Sequence, residues 1–248
     1  MQIQELREFC DQYLKADEFT DYCPNGLQVE ANPSVERLVC GVTACQALIE
    51  AAIEQRADAI LVHHGYFWKG EAQPITGIKG RRIGSLIRNN INLLAYHLPL
   101  DAHPEVGNNV RLADVMGWRV EDSFGEQNLV LEGSPAKPQS LRELALELET
   151  RLQARPLVIE AGDRPVTRLA WCTGAAQGFI AAAAARGVDA FVSGEASEQT
   201  FHQARELGIH YIAAGHHATE RYGVQALGAE IARRFGIEQQ FIDIANPV

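Results

Sequence analysis

No stretch of this sequence approaches the ~18–20 consecutive apolar residues that a membrane helix requires. The first ten residues carry Glu5, Arg7 and Glu8 and no apolar run, so no secretion signal is expected there. Cysteine is sparse: Cys10, Cys23, Cys40, Cys45 and Cys172 are odd in number and contain no CxxC pair. This argues against a disulfide framework and against a zinc ribbon, and leaves the cysteines as small apolar core residues in a cytoplasmic protein. Basic charge is also short, with 22 Lys and Arg against 32 Asp and Glu and a net charge of −10. The only basic cluster is Lys79, Arg81 and Arg82, with Arg88 further on, and it reads as a solvated helix face. General nucleic-acid binding, which needs a basic face to neutralise phosphates, is therefore excluded. There is no GxxxxGKS/T phosphate loop, no GxGxxG and no GxSxG elbow. Gly174-Ala-Ala-Gln-Gly178 reads as a close helix–strand packing turn, with anion binding at a helix start as the rival account.

What is present is a chain of 248 residues, 46% of them hydrophobic, enough for one large domain or two small ones. Helical and strand patterns alternate. Ile3–Leu14 has an apolar face of Leu6, Phe9, Cys10 and Tyr13 at helical spacing. Strands are expected at Arg37–Val42, Ala59–Val62 and Ile91–Tyr96, with helices Cys45–Gln55, Gly80–Asn90 and Asn108–Met116 among them. In the second half, Ser140–Leu152 opens on a capping box of Ser140 and Glu143. Strands Leu157–Glu160, Arg168–Cys172, Ala190–Ser193 and Ile209–Ala214 follow, with helices Phe179–Arg186 and Glu198–Leu207. A long helix Thr219–Phe235 and a strand Gln240–Ile244 end the chain. The fold class is α/β with mainly parallel sheets.

The order repeats. Ile49-x-Ala-Ala-x5-Asp58-Ala59 matches Ile180-x-Ala-Ala-x5-Asp189-Ala190 without a gap, and His97-x3-Asp101 matches His216-x3-Glu220. We read an internal duplication, residues 1–125 and 126–248, with a seam near Phe124–Gly133 and a metal site between the halves.

Four of the eight histidines form two pairs, His63-His64 and His216-His217, each where an apolar strand gives out. Ligands of α/β sheets bind at the carboxyl ends of strands. Asp101 and Glu220 lie just past other strand ends, so convergence would gather imidazoles and carboxylates suited to divalent Fe, Zn, Mn, Ni or Co. Adjacent histidines on a strand can splay toward different ions. Spacing alone leaves His97 as good a ligand as His216. His103, His202 and His210 read as structural.

The blocks Asp21-Tyr-Cys-Pro-Asn-Gly-Leu-Gln28, Gly41-Val-Thr43, Val62-His-His-Gly65 and His97-Leu-Pro-Leu-Asp101 resemble the signature of the NIF-three-like family. Gly107-Asn-Asn109, Ser193-Gly-Glu195 and Gly215-His-His-Ala-Thr-Glu220 continue it in order over nearly the whole chain. Members are also called GTP cyclohydrolase I type 2 homologues, and the likeness is to the short bacterial form without an inserted domain. The resemblance implies two intertwined, similar α/β halves with mixed sheets, assembled as a toroidal homohexamer. It implies two divalent ions per chain, one on His64 and Asp101, the other on His63 and His216, with Glu220 bridging. His97 then becomes a neighbour of the ions and a candidate proton relay, with a structural role as the rival. Tyr66 and Glu195 are weaker candidates for lining the cavity. The expected activity is metal-dependent hydrolysis of a nucleotide-derived or cyclic amide substrate; the alternative is a metal-stabilised scaffold or regulatory binding protein.

Overall fold

The computed structural model describes residues 1–248. The first elements in chain order are α1 (Ile3–Tyr13), β1 (Gly26–Val29), β2 (Arg37–Thr43), α2 (Gln46–Glu54), β3 (Ala59–His64), α3 (Gly77–Arg88), β4 (Asn92–Ala95) and α4 (Leu98–Ala102). Next come α5 (Asn108–Met116), β5 (Arg119–Phe124), β6 (Val130–Ser134), α6 (Leu141–Leu152), β7 (Leu157–Ile159) and β8 (Leu169–Cys172). The last are α7 (Ile180–Ala185), β9 (Ala190–Ser193), α8 (Glu198–Leu207), β10 (His210–Ala213), α9 (His216–Thr219), α10 (Arg221–Phe235) and β11 (Glu238–Phe241). They form two units. One comprises Met1–Val106 with Gly223–Ala245, the other Gly107–Tyr222 with Asn246–Val248.

In the first unit the sheet order is β1-β4-β3-β2-β11, parallel throughout except for antiparallel β1. Alternation along the strands divides its side chains between two cores. Leu38, Cys40, Ala59, Leu61, Leu94 and Tyr96 pack with Ile3, Leu6 and Cys10 of α1 and with Val224, Leu227 and Ile231 of α10. Val39, Ile60, Val62, Leu93 and Ala95 pack with Leu48, Ile49 and Ala52 of α2 and with Ile83 and Leu86 of α3. Covering both faces is why Ala59–Val62 reads as an unbroken apolar run rather than an alternating one. Burying each of Val224, Leu227 and Ile231 stabilises the unit by about 1.5–3 kcal/mol.

The second unit has the order β5-β6-β8-β9-β10-β7. Only β8, β9 and β10 run parallel; β5, β6 and β7 are antiparallel to their neighbours. This sheet is mixed, in keeping with the expected fold class, and its parallel pairing is confined to those three strands. Leu169, Trp171, Ala190, Val192 and Ile212 form a core with α5 and α6. The Ser140–Glu143 capping box is present: the Ser140 hydroxyl accepts from the Glu143 N–H and the Glu143 carboxylate accepts from the Ser140 N–H.

The boundary departs from a single cut at 125. Leu112, Ala113 and Met116 of α5 belong to the core around Trp171, so the second unit begins at Gly107. Helix α10 packs against α1, so the end of the chain completes the first unit. The expected seam at Phe124–Gly133 is the β5–β6 hairpin of the second sheet. The helix expected at Thr219–Phe235 is broken: α9 ends at Thr219, and Glu220, at φ −106°, separates it from α10.

The duplication is visible in backbone chemistry. Asp58, just before β3, accepts the N–H groups of Glu36 and Arg37 at 2.9 Å. Asp189, just before β9, accepts those of Thr167 and Arg168 at 2.9 and 3.0 Å. Each carboxylate thus fixes the start of the neighbouring parallel strand, β2 in one unit and β8 in the other. No helix is long and apolar enough to cross a membrane.

Candidate metal centre

In the first unit the chemistry collects where the parallel strands end. His63 closes the apolar run of β3 and is fully buried. Its Nδ1 lies 3.0 Å from the Tyr96 carbonyl, which can only accept, so Nδ1 carries the proton. The other nitrogen, Nε2, faces the buried Asp101 carboxylate of α4 at 3.5 Å. His64 Nδ1 is 3.2 Å from the Thr43 hydroxyl at the end of β2. The two rings are 4.5 Å apart at 47°, closer than splaying to opposite faces would put them.

His97 opens α4, and its ring lies 5.1 Å from that of His63 and 5.8 Å from that of His64. Ligand atoms of His63, His64 and His97 all lie within 4.8 Å of one another. The Nδ1 of His97 is 2.7 Å from the Asp21 carboxylate, whose side chain is only 3% exposed. Asp21 also accepts from Asn25 Nδ2 at 2.9 Å and from the Tyr22 and Leu98 N–H groups at 2.6 and 3.0 Å. Burial alone would raise the Asp21 carboxyl, but the hydrogen bond and charge of His97 outweigh it and hold the group below its ordinary range. Asp21 therefore fixes the tautomer of His97, a role the sequence left unseen although Asp21 heads one of the motif blocks.

Cys23 approaches Asp21 and His97 closely enough to share an ion with them. Burial, aided by the Asp21 charge, pushes its thiol up to about 12, so it offers no thiolate at neutral pH. The ready donors are imidazole and carboxylate, a set that fits borderline to hard divalent ions.

In the second unit three loops meet at the ends of β8, β9 and β10. His216 Nδ1 is 2.6 Å from Glu195 Oε1, and its Nε2 is 3.1 Å from Glu220 Oε2. Burial works against a charged His216, but hydrogen bonds and charge from Glu220, then from Glu195, raise it to about 9. Glu220 is buried, and Gly174 provides its space. A Cβ on Gly174 would stand 2.1 Å from Glu220 Oε1, and the residue's φ is +68°. The Gly174 carbonyl in turn accepts from Ser193 Oγ at 2.9 Å and from the Gly194 N–H at 2.8 Å. The turn at 174–178 is thus a packing device that makes room for a carboxylate. Asn109 secures its base: Oδ1 accepts the Thr173 N–H at 2.8 Å, while Nδ2 donates to the Leu129 carbonyl.

The remaining candidates divide clearly. Glu195 orients His216. Tyr66 is buried, with its hydroxyl donating to the Ala44 carbonyl at 2.7 Å in the second core of the first unit. His103 uses both ring nitrogens on backbone groups of Tyr13, Glu105 and Val106, and His210 does so on Ala161 and Arg164. His202 lies exposed on α8, 3.4 Å from Glu198.

Histidine–carboxylate clusters at the ends of parallel strands, one in each of two duplicated α/β units, mark a candidate metalloprotein class. The family model for Duf34/NIF3 (NGG1p interacting factor 3) matches residues 1–247, and the chain belongs to that family. It is 56% identical over 248 residues to a Pseudomonas aeruginosa protein called GTP cyclohydrolase 1 type 2 homolog, covering 99% of this chain and 98% of that one. A solved structure described as protein ybgI, of unknown function, has a TM-score of 0.97 at 48% identity and is covered in full, as is this chain. The structure of TTHA1606 from Thermus thermophilus has a TM-score of 0.91 at 36% identity, again with both chains fully covered.

Proposed function

We propose that this protein is a metal-dependent hydrolase that holds two divalent ions per chain and acts on a nucleotide-derived or cyclic amide substrate. His64 and Asp101 would hold one ion, His63 and His216 the other, and Glu220 would bridge them. The observation that carries this reading is the treatment of His63. It is wholly buried, its Nδ1 is committed to a carbonyl, and its Nε2 is presented to a buried carboxylate. Burying an imidazole and a carboxylate together is costly unless a partner such as a cation repays it, and outer acceptors that fix ring orientation are typical of metal-ligating histidines. Glu195 treats His216 in the same way.

Two such ions supply Lewis acidity and lower the pKa of water, the chemistry a hydrolase needs. The chain's own contribution to proton transfer is His97. With Nδ1 donating to Asp21, its Nε2 can take a proton and return it. The names of the curated relatives point to a cyclohydrolase-type ring opening, which agrees with a cyclic amide as substrate.

Elemental analysis of protein prepared without chelator should give up to two ions per chain. Glu220→Gln should lower that number and abolish hydrolysis in a screen of nucleotides, cyclic amides and phosphoesters. Unchanged ion content in the variant would remove the bridging role. A second reading takes the ions as staples of a homohexameric scaffold, and the family's description as an interacting factor favours it. Chelation separates the two: loss of assembly together with unfolding supports the scaffold, whereas an intact assembly without activity supports the enzyme.

A further inference from the structure

Beside the histidines of the first unit stand two aromatic side chains that neither apolar core of that unit contains. Tyr22 is 58% exposed, with its ring 6.4 Å from that of His97 at 64°. Trp68 lies on the opposite loop, 5.0 Å from His97 at 84° and 5.9 Å from His64. The two loops are tied together. The Lys69 N–H donates to the Tyr22 carbonyl at 2.6 Å, and the Gln28 amide bonds the Pro24 carbonyl and both backbone groups of Tyr66. Gly65 allows that approach, since a Cβ there would stand 2.2 Å from Gln28 Oε1. Trp68 spends its Nε1 on the Gly65 carbonyl at 3.2 Å, and Phe67 before it sits at φ +65°, a conformation that non-glycine residues seldom adopt. Such positions persist where the surrounding structure enforces them, often around ligands.

We propose that Tyr22 and Trp68 form a stacking clamp for a planar, unsaturated ring that carries an N–H beside a carbonyl. This rests on the hydrolase reading and narrows its substrate from cyclic amides in general to flat lactams of the nucleobase kind. Aromatic side chains offer π-faces to flat rings and gain much less from puckered ones. His97 supplies the polar half of the recognition. Its Nδ1 donates to Asp21, which leaves Nε2 as the ring atom that can accept the lactam N–H. A hydrogen bond leaves rotation about its axis open, so a ring lying on Trp68 can still direct its N–H at His97.

The test uses uracil and 5,6-dihydrouracil, which share the N–H and carbonyl pattern and differ in planarity. Affinities for the full-length, metal-reconstituted protein are measured by calorimetry. Fluorescence collected at the red edge of tryptophan emission reports chiefly Trp68, because Trp118 and Trp171 are buried at 6% and 0% exposure and emit further to the blue. Uracil should quench and bind at least ~5-fold more tightly than dihydrouracil, the low end of what one stacking contact contributes. Tyr22→Ala and Trp68→Leu should close that gap in calorimetry while ion content stays unchanged. Equal affinity for the two probes, no binding of either, or a preference that survives both substitutions would overturn the clamp. Glu220→Gln protein is measured alongside. Uracil preference retained there supports the clamp even if the hydrolase reading fails. Preference absent from a protein that hydrolyses cyclic amides removes the clamp alone.

Discussion

Gly174 shows how much of the candidate centre depends on a side chain that is not there. Its missing Cβ is the room in which Glu220 sits, and its φ of +68° is strained for any other residue. Gly174→Ala should displace the Glu220 carboxylate, lower ion content in elemental analysis and destabilise the fold by about 1–3 kcal/mol in denaturant melts. His216 gives a second prediction. It is raised to about 9 in the ion-free protein, so it is protonated at neutral pH, and that contribution to stability is lost as pH rises through about 9. A cation on Nε2 must displace the proton, so binding near pH 7.5 should release about one proton per chain from this residue. Calorimetry in buffers of contrasting ionisation heat reads it directly, and heats independent of buffer would remove His216 from the ligand set. Paired histidines at strand ends made His63, His64 and His216 conspicuous, with Asp101 and Glu220 just past other strand ends, but only the family resemblance preferred His216 to His97 as a ligand. The sequence hid Asp21 and Gly174, because an aspartate before a turn and a glycine after a strand each have many ordinary uses.

Among the elements, those with strong local codes were legible. Ser140 and Glu143 announced α6, and Ser140→Ala should cost about 1 kcal/mol in urea denaturation. Helix α5 begins at Asn108 and ends at Met116 as its pattern predicts, with Gly117 at φ +67° closing it. Strand β5 was illegible because it lies largely exposed and its residues, Arg119 to Phe124, carry charges where a buried strand would carry apolar groups. Its partner β6 holds Gly133, where a Cβ would meet the Arg119 carbonyl at 1.8 Å, so the glycine marks a close strand approach rather than a linker. The break at Glu220 was hidden for a related reason: helical periodicity runs on through Arg221–Phe235 with no proline or glycine to announce a stop before it.

At the scale of the whole molecule, the repeat read from Ile49–Ala59 and Ile180–Ala190 is the same wiring used twice. Asp189→Ala removes an acceptor of two N–H groups and the Thr167 hydroxyl, and should cost about 1.5–3 kcal/mol. Burial raises this carboxyl, but the hydrogen bonds from Arg168 and Thr167 win and hold it below its ordinary 3.8. Its contribution is therefore present above that value and fades as pH falls, so parent and variant should converge in acid urea melts. What the sequence misplaced was the boundary, because a duplication suggests two consecutive blocks and only packing reveals that α10 belongs with α1.

That return of the chain sets an order of events during synthesis. The second unit is almost wholly one continuous segment, Gly107–Tyr222, and all its strands have been synthesised before α10 and β11 are made. The first unit starts earlier yet must wait for Val224, Leu227 and Ile231 to cover the sheet face against α1. The half translated first is thus the half finished last, and until then its α1-side core remains open to chaperones and proteases.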